Sequence, residues 1–204
     1  MFTGIIKNTG KVLKILKKNK GFELEIYSNL TYSKKDIGTS IAVNGVCLTL
    51  VKCVKKSLFF FISYKTFEIT NFKFIKKNSI VNFEKSLKFG DEIAGHFVQG
   101  HVDTIGKVLS LEKLSKTWTI NIQVSKSFAP LLIDKGSISI NGVSLTIVKA
   151  RNNKFSLVVI PHTLKMTNII KLNKRDIVNV EFDIVIKYLH KIQNKWKTNP
   201  NFQK

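Results

Sequence analysis

The sequence predicts an all-β chain of two small closed barrels in tandem, followed by one amphipathic α-helix. Three observations carry this. The chain repeats itself at an interval of 96 or 97 residues, and an Asn-Gly dipeptide stands between apolar runs once in each half. The last stretch then changes from strand-like alternation to an apolar spacing of three and four.

The repeat is clearest where Ser40-Ile41-Ala42-Val43-Asn44-Gly45-Val46-Cys47-Leu48-Thr49-Leu50-Val51-Lys52 meets Ser137 to Lys149, 97 residues later, with nine of thirteen positions identical. The same offset pairs Thr66 with Thr163, Thr70-Asn71 with Thr167-Asn168, Val81-Asn82 with Val178-Asn179, and Glu84 with Glu181. Nearer the start the offset is 96, pairing Gly4 with Gly100 and Gly10-Lys11-Val12-Leu13 with Gly106-Lys107-Val108-Leu109. Matches in one order over most of the length mean duplication. Two domains of similar fold are expected at 1–97 and 98–187, with a tail to 204 whose end, from Lys197, is expected to fray.

Within each half the elements read as strands. Asn44-Gly45 and Asn141-Gly142 suit a two-residue hairpin turn, which needs positive φ at both positions. Phe59 to Ile62 and Phe155 to Ile160 give a further strand, and Val81 to Glu84 and Val178 to Phe182 close each half. The segments after Thr66 and Thr163 are expected to form a short helical turn. Many short strands in each half favour a closed barrel, because closure removes exposed edges. In the tail, Ile184, Tyr188, Ile192 and Trp196 recur every fourth residue, with Val185 and Leu189 beside them. This helix either covers one barrel or packs on copies of itself. Its apolar load favours the second.

Composition excludes several classes. The chain has 204 residues with 44% hydrophobic and 23% charged, which suits a folded protein. No apolar run approaches the roughly 20 residues of a spanning helix, and no signal peptide is expected. Two cysteines, Cys47 and Cys53, are too few for a disulfide scaffold, so a cytoplasmic setting is expected. The net charge of +21 invites a polyanion partner, but 32 of the 34 basic residues are lysines and they are scattered. Nucleic-acid readers favour arginine and a continuous basic stripe. Abundant Lys, Asn, Ile and Phe share A/T-rich codons, and a base-composition bias explains the charge without a nucleic-acid partner.

Alternation in the hairpin strands puts Val46, Leu48 and Leu50 on one face and Cys47 and Thr49 on the other. The second half does the same with Val143, Leu145 and Ile147 against Ser144 and Thr146. If the aliphatic face fills the barrel, each half carries a small nucleophilic or hydrogen-bonding pair outside it. Ser and Thr also simply suit a solvent-facing strand. Twin sites that differ at one member, Cys against Ser, suit two molecules in unlike roles. At the junction, Gly95-His96-Phe97-Val98-Gln99-Gly100-His101-Val102-Asp103 holds two histidines five apart, which is not a metal-ligand spacing; no metal is expected. Histidine exchanges a proton nearest neutral pH, so a general base here is one reading and a structural hydrogen bond the other. Rossmann, phosphate-loop and nucleophile-elbow motifs are absent from the sequence.

Met1-Phe2-Thr3-Gly4-Ile5-Ile6, the two Asn-Gly-Val-(Cys/Ser)-Leu-Thr segments and Gly95 to Asp103 together resemble the riboflavin synthase family, α-chain type, over essentially the whole chain. The resemblance implies two tandem six-stranded antiparallel Greek-key barrels and a homotrimer joined by C-terminal helices at 184–197. It implies dismutation of two 6,7-dimethyl-8-ribityllumazine molecules to riboflavin and 5-amino-6-ribitylamino-uracil, without cofactor or metal, between barrels of neighbouring subunits. It also implies that Gly4, Ile5, Ile6, Ser144, Leu145, Thr146, Val158, Val159, Ile160, Pro161, His162 and Thr163 hold one lumazine. Cys47, Leu48, Thr49, Phe61, Ile62, Ser63, Tyr64, Lys65, Thr66, Gly100, His101 and Val102 would hold the other, with Lys135 reaching in from a neighbour. Catalytic candidates are Ser40, Cys47, His101, Ser144, Thr146 and Asp183. Asp183 has two readings, acid–base work or capping the terminal helix. Lys65 and His162 stand where the family usually carries Glu, which alters the expected ribityl contacts, and Asn141 stands where some members have Asp. A non-catalytic lumazine or flavin carrier on the same double barrel is the competing reading, and a barrel binding single-stranded nucleic acid a third.

Overall fold

The computed structural model describes residues 1–198 and contains two closed six-stranded barrels. The first comprises β1 (Asn8–Lys18), β2 (Gly21–Ser28), β3 (Ser40–Val43), β4 (Val46–Val54), β5 (Ser57–Ser63) and β6 (Ile80–Lys85), in the closed order β1-β2-β5-β4-β3-β6. The second repeats that order with β7 (Thr104–Leu114), β8 (Thr117–Gln123), β9 (Ser137–Ile140), β10 (Val143–Arg151), β11 (Lys154–Val159) and β12 (Ile177–Phe182). All pairs are antiparallel, and a three-strand meander flanked by a returning strand makes each barrel a Greek key.

The hydrophobic alternation explains the closure. Val46, Leu48 and Leu50 on β4 turn inward with Leu24, Ile26, Phe60 and Phe83, while Thr49 stays exposed. On β10, Val143 and Ile147 turn inward with Ile120, Ile122, Phe155 and Val180, and Thr146 stays exposed. Each fully buried large apolar chain contributes about 1.5–3 kcal/mol. Register shifts recur at equivalent places, at Val12/Lys14 and Val108/Ser110 and again at Leu50/Lys52 and Ile147/Lys149. A bulge sharpens local twist, which a six-stranded barrel needs in order to close.

The expected helical turns form, but they begin earlier than expected. Helix α1 spans Tyr64–Ile69 and α2 spans Pro161–Met166, so Thr66 and Thr163 lie inside them. The two starts differ chemically. The Ser63 hydroxyl accepts from the Thr66 N–H at 3.0 Å, whereas α2 opens with Pro161, which needs no partner for its missing N–H. Helix α3 spans Ile184–Thr198. It runs past Lys197, where fraying was expected, and the remainder of that end lies outside the described residues. Among the described residues no helix is long and apolar enough to cross a membrane.

The Asn-Gly turns have positive φ at both positions, as expected, and they are buried. They meet each other. A Cβ built on Gly45 would stand 2.6 Å from the Gly142 nitrogen, and one on Gly142 would stand 2.7 Å from the Gly45 nitrogen. Around this contact six asparagines exchange bonds in pairs. The Asn71 N–H donates to Asn179 Oδ1 (2.6 Å) and the Asn168 N–H to Asn82 Oδ1 (2.7 Å). The Asn82 amide donates to the Asn141 carbonyl and the Asn179 amide to the Asn44 carbonyl, each at 2.9 Å. The duplication thus places the same residues on both sides of one polar seam between the barrels.

Candidate active site

The outward face of β4 carries Cys47 and Thr49, and the outward face of β10 carries Ser144 and Thr146. Ser40 pairs across the sheet with Thr49, and Ser137 with Thr146. Neither Cys47 nor Ser144 is open to solvent in the way a bare strand face would be, because a strap of backbone crosses each of them.

One strap is the N-terminal segment Met1–Lys7 and the other is 97–103; they bond to each other through Phe2 and Val98. The Ser144 N–H donates to the Gly4 carbonyl at 2.8 Å, and the Cys47 N–H to the Gly100 carbonyl at 2.8 Å. Both glycines have φ near +75° and leave no room for a side chain. A Cβ on Gly4 would lie 2.7 Å from Ser144 Cβ, and one on Gly100 would lie 2.6 Å from Cys47 Cβ. Each strap completes the other half's barrel. Ile6, 6% exposed, is part of the second barrel's core, and Val102, 9% exposed, is part of the first.

Buried carboxylates hold the straps. Glu84 on β6 accepts from the Thr3 N–H (2.7 Å) and Thr3 hydroxyl (2.9 Å) through one oxygen, and from the Gly4 N–H (3.1 Å) through the other. Glu181 on β12 accepts from the Gln99 N–H at 2.7 Å. Burial pushes both carboxyls above the usual carboxylate range, against these hydrogen bonds.

Ser144 has a partner that Cys47 lacks. His96 Nδ1 lies 2.7 Å from Ser144 Oγ, on a ring that is 9% exposed and whose Nε2 is buried without a partner. Burial holds this imidazole below the ordinary histidine range, and the Asp183 charge pushes the other way. The ring is therefore neutral at pH 7 and carries one proton, on Nδ1 toward the serine or on Nε2 away from it. Cys47 instead packs against Phe2, Ala42 and Val98.

The sequence-derived residues divide by orientation. Leu48, Ile62, Val102, Ile6 and Val159 are buried in the barrel cores, so only their backbone can meet a ligand on the outer face. Leu145 is partly buried against the same core as Val159. Phe61, Tyr64, Val158 and Ile160 expose apolar surface outward, as does Ile5 on its strap. Ser63, Lys65, Pro161 and His162 are exposed, and Thr66 and Thr163 are half-buried within the short helices. His101 is exposed on the strap over Cys47, so the histidine brought to the serine is His96. Lys135 is exposed in a turn whose N–H donates to the Ile147 carbonyl. Asp183 accepts from the Val185 N–H at 2.9 Å and so caps α3, while its charge reaches His96. Among the described residues no cluster of three His, Cys, Asp or Glu could hold a metal ion. Sequence reasoning missed the pairing of His96 with Ser144 and the anchoring by Glu84 and Glu181. The matched positions of the two glutamates in the repeat were the available signal for the second.

The lumazine binding domain matches this chain twice, over residues 3–86 and 99–183. The riboflavin synthase of Photobacterium leiognathi is 36% identical over 193 residues, covering 94% of this chain and 88% of that one. The riboflavin synthase of Bacillus subtilis (strain 168) is 32% identical over 203 residues, covering 100% and 94%. A crystal structure of LumP complexed with riboflavin superposes with a TM-score of 0.78 at 26% identity, covering 89% of this chain and 99% of that one. With a doubled domain, twin strapped faces and relatives matched along nearly their whole length, the chain belongs to the riboflavin synthase family of double-barrel lumazine-binding proteins.

Proposed function

We propose that this chain is a working riboflavin synthase that dismutates two 6,7-dimethyl-8-ribityllumazine molecules to riboflavin and 5-amino-6-ribitylamino-uracil. The observation that carries the reading is the pair of equivalent outer faces that differ in chemistry. One offers a serine with a buried neutral imidazole behind it, and the other a thiol in an apolar setting. Two like molecules in unlike roles require such a pair.

The chemistry asks little of the protein. A proton leaves the 7-methyl group of one lumazine, and the pteridine ring takes up the charge. The four-carbon unit then passes to the second molecule, and the donor leaves as the diaminouracil. With the His96 lone pair on Nδ1, Ser144 takes the methyl proton as it hands its own to the imidazole. The Asp183 charge favours the imidazolium so formed. The exposed faces of Phe61 and Tyr64 on one half, and Val158 and Ile160 on the other, give flat apolar surface for the rings. Cys47 sits at the place equivalent to Ser144 and assists the second molecule. Lys65 and His162, at the starts of α1 and α2, lie where the ribityl chains would run.

Within this reading the protein works as a cytoplasmic homotrimer. The support is helix α3, which leaves Val185, Tyr188, Leu189 and Ile192 exposed along one stripe while Ile186 packs on the second barrel. Lys135 then contributes from a neighbouring subunit.

The test is to mix pure protein with the lumazine alone and follow riboflavin by absorbance. Riboflavin and diaminouracil in equal amounts support the synthase. Tight binding without turnover supports a carrier, the reading favoured by likeness to LumP, whose structures are complexed with riboflavin, flavin mononucleotide and the lumazine.

A further inference from the structure

We propose that each catalytic face is positioned by the opposite barrel. Glu84 of the first barrel is a positioning residue for Ser144 on the second, and Glu181 of the second is one for Cys47 on the first. The proposal rests on reading those two faces as the substrate pockets.

Follow the bonds from each carboxylate. Glu84 holds the N–H groups of Thr3 and Gly4, the Gly4 carbonyl takes the Ser144 backbone N–H, and the Thr3 carbonyl takes the His96 backbone N–H at 3.2 Å. One carboxylate on the first barrel thereby fixes both members of the serine–imidazole pair. Glu181 holds the Gln99 N–H, and the Gly100 carbonyl one residue on takes the Cys47 N–H. The apolar anchors cross in the same sense, with Ile6 in the second core and Val102 in the first. The two straps also bond to each other at Phe2 and Val98, a bridge that neither carboxylate touches.

A competing route runs within each barrel. Glu84 lies across from Ala42, which lies across from Cys47, and Glu181 lies across from Ser139, which lies across from Ser144. If the carboxylates act only as local structure, each should disturb the face on its own barrel. The crossed route makes the opposite prediction. It is the better built of the two, because its links are direct hydrogen bonds to buried carboxyls, whereas Ala42 offers only a methyl group and the buried Ser139 hydroxyl makes no hydrogen bond.

The experiment uses the full chain with Cys53→Ser, which leaves Cys47 as the single thiol. The Cys47 face is read by its alkylation rate with iodoacetamide, and the Ser144 face by the His96 ring signals in NMR at fixed pH, identified with His96→Asn. Glu181→Gln should change the alkylation rate about threefold or more and leave the His96 signals in place. Glu84→Gln should move the His96 signals and leave the alkylation rate nearly unaltered. Thr3→Val and Glu181→Asp give milder forms of the same crossed pattern if either Gln variant does not fold. Effects confined to each carboxylate's own barrel, or equal at both faces, overturn the proposal. Neither readout uses turnover, so a crossed pattern in a protein that makes no riboflavin would sink the synthase reading and leave the crossed anchoring standing.

Discussion

At the scale of single residues, one exchange of oxygen for sulfur sets the two faces apart. Position 144 is a serine whose oxygen reaches the His96 ring, and position 47 is a thiol among Phe2, Ala42 and Val98. The pH behaviour of the pair follows from burial. His96 is held below the ordinary histidine value, so the folded chain binds its proton less readily than the unfolded chain. The contribution of His96 to stability is therefore complete above about pH 6.5 and is lost as pH falls through the lowered value. Turnover should show an acid limb in that same window, since a protonated ring cannot accept from the serine. Replacing His96 by Asn should abolish this limb and lower the plateau, as read from a pH–rate profile. Ser144→Ala should reduce turnover about a hundredfold or more, with a loss of unfolding free energy of about 1–3 kcal/mol because it leaves the buried His96 ring without its partner. A fully active Ser144→Ala enzyme would remove the serine from the mechanism.

Among the elements, the turns, the strands and the terminal helix itself followed local rules, and the docking of that helix did not. Asn-Gly in each half gave the two-residue turns because few other pairs accept positive φ twice. The starts of α1 and α2 were placed too late because the signals there, a Ser63 cap in one and Pro161 in the other, are unlike each other. Helix α3 has an apolar stripe legible in the sequence, yet which surface it meets is a matter of three dimensions. Ile186 packs against the core of the second barrel, and Tyr188, Leu189 and Ile192 stay largely exposed. Under the proposed trimeric assembly, removing residues 184–204 should give smaller species in sizing and native mass spectrometry, while the barrels keep their strand content. A truncated chain that still assembles as a trimer would assign the oligomer to another surface.

For the molecule as a whole, the seam of six asparagines makes two barrels one body. Asn179 accepts from the Asn71 N–H and donates to the Asn44 carbonyl, so Asn179→Ala orphans two buried backbone groups. The expected cost is about 3 kcal/mol, or about 6–12 °C in melting temperature for a chain of this size. Calorimetry should detect it, and a melting point unchanged within 2 °C, about the smallest shift that a 1 kcal/mol loss gives, would mean that the seam contributes nothing to stability. The straps add a second form of unity, since Ile6 and Val102 each fill the other half's core.

The amino-acid order alone was enough for the duplication, the inward aliphatic faces of β4 and β10, and the outward placing of Cys47, Thr49, Ser144 and Thr146. All of these follow from period and repeat, which act between neighbours in the chain. It did not reveal that Gly4 lies on Ser144, that Gly100 lies on Cys47, that Glu84 anchors the strap carrying Gly4, or that Asn82 serves the opposite half. Those contacts join residues some 50 to 140 positions apart, and they exist only because two barrels made from one repeated pattern dock face to face and exchange their leading segments. A buried carboxylate or amide must find a partner wherever the packed chain supplies one, and here a strap supplies it for each carboxylate and the other barrel supplies it for the asparagines.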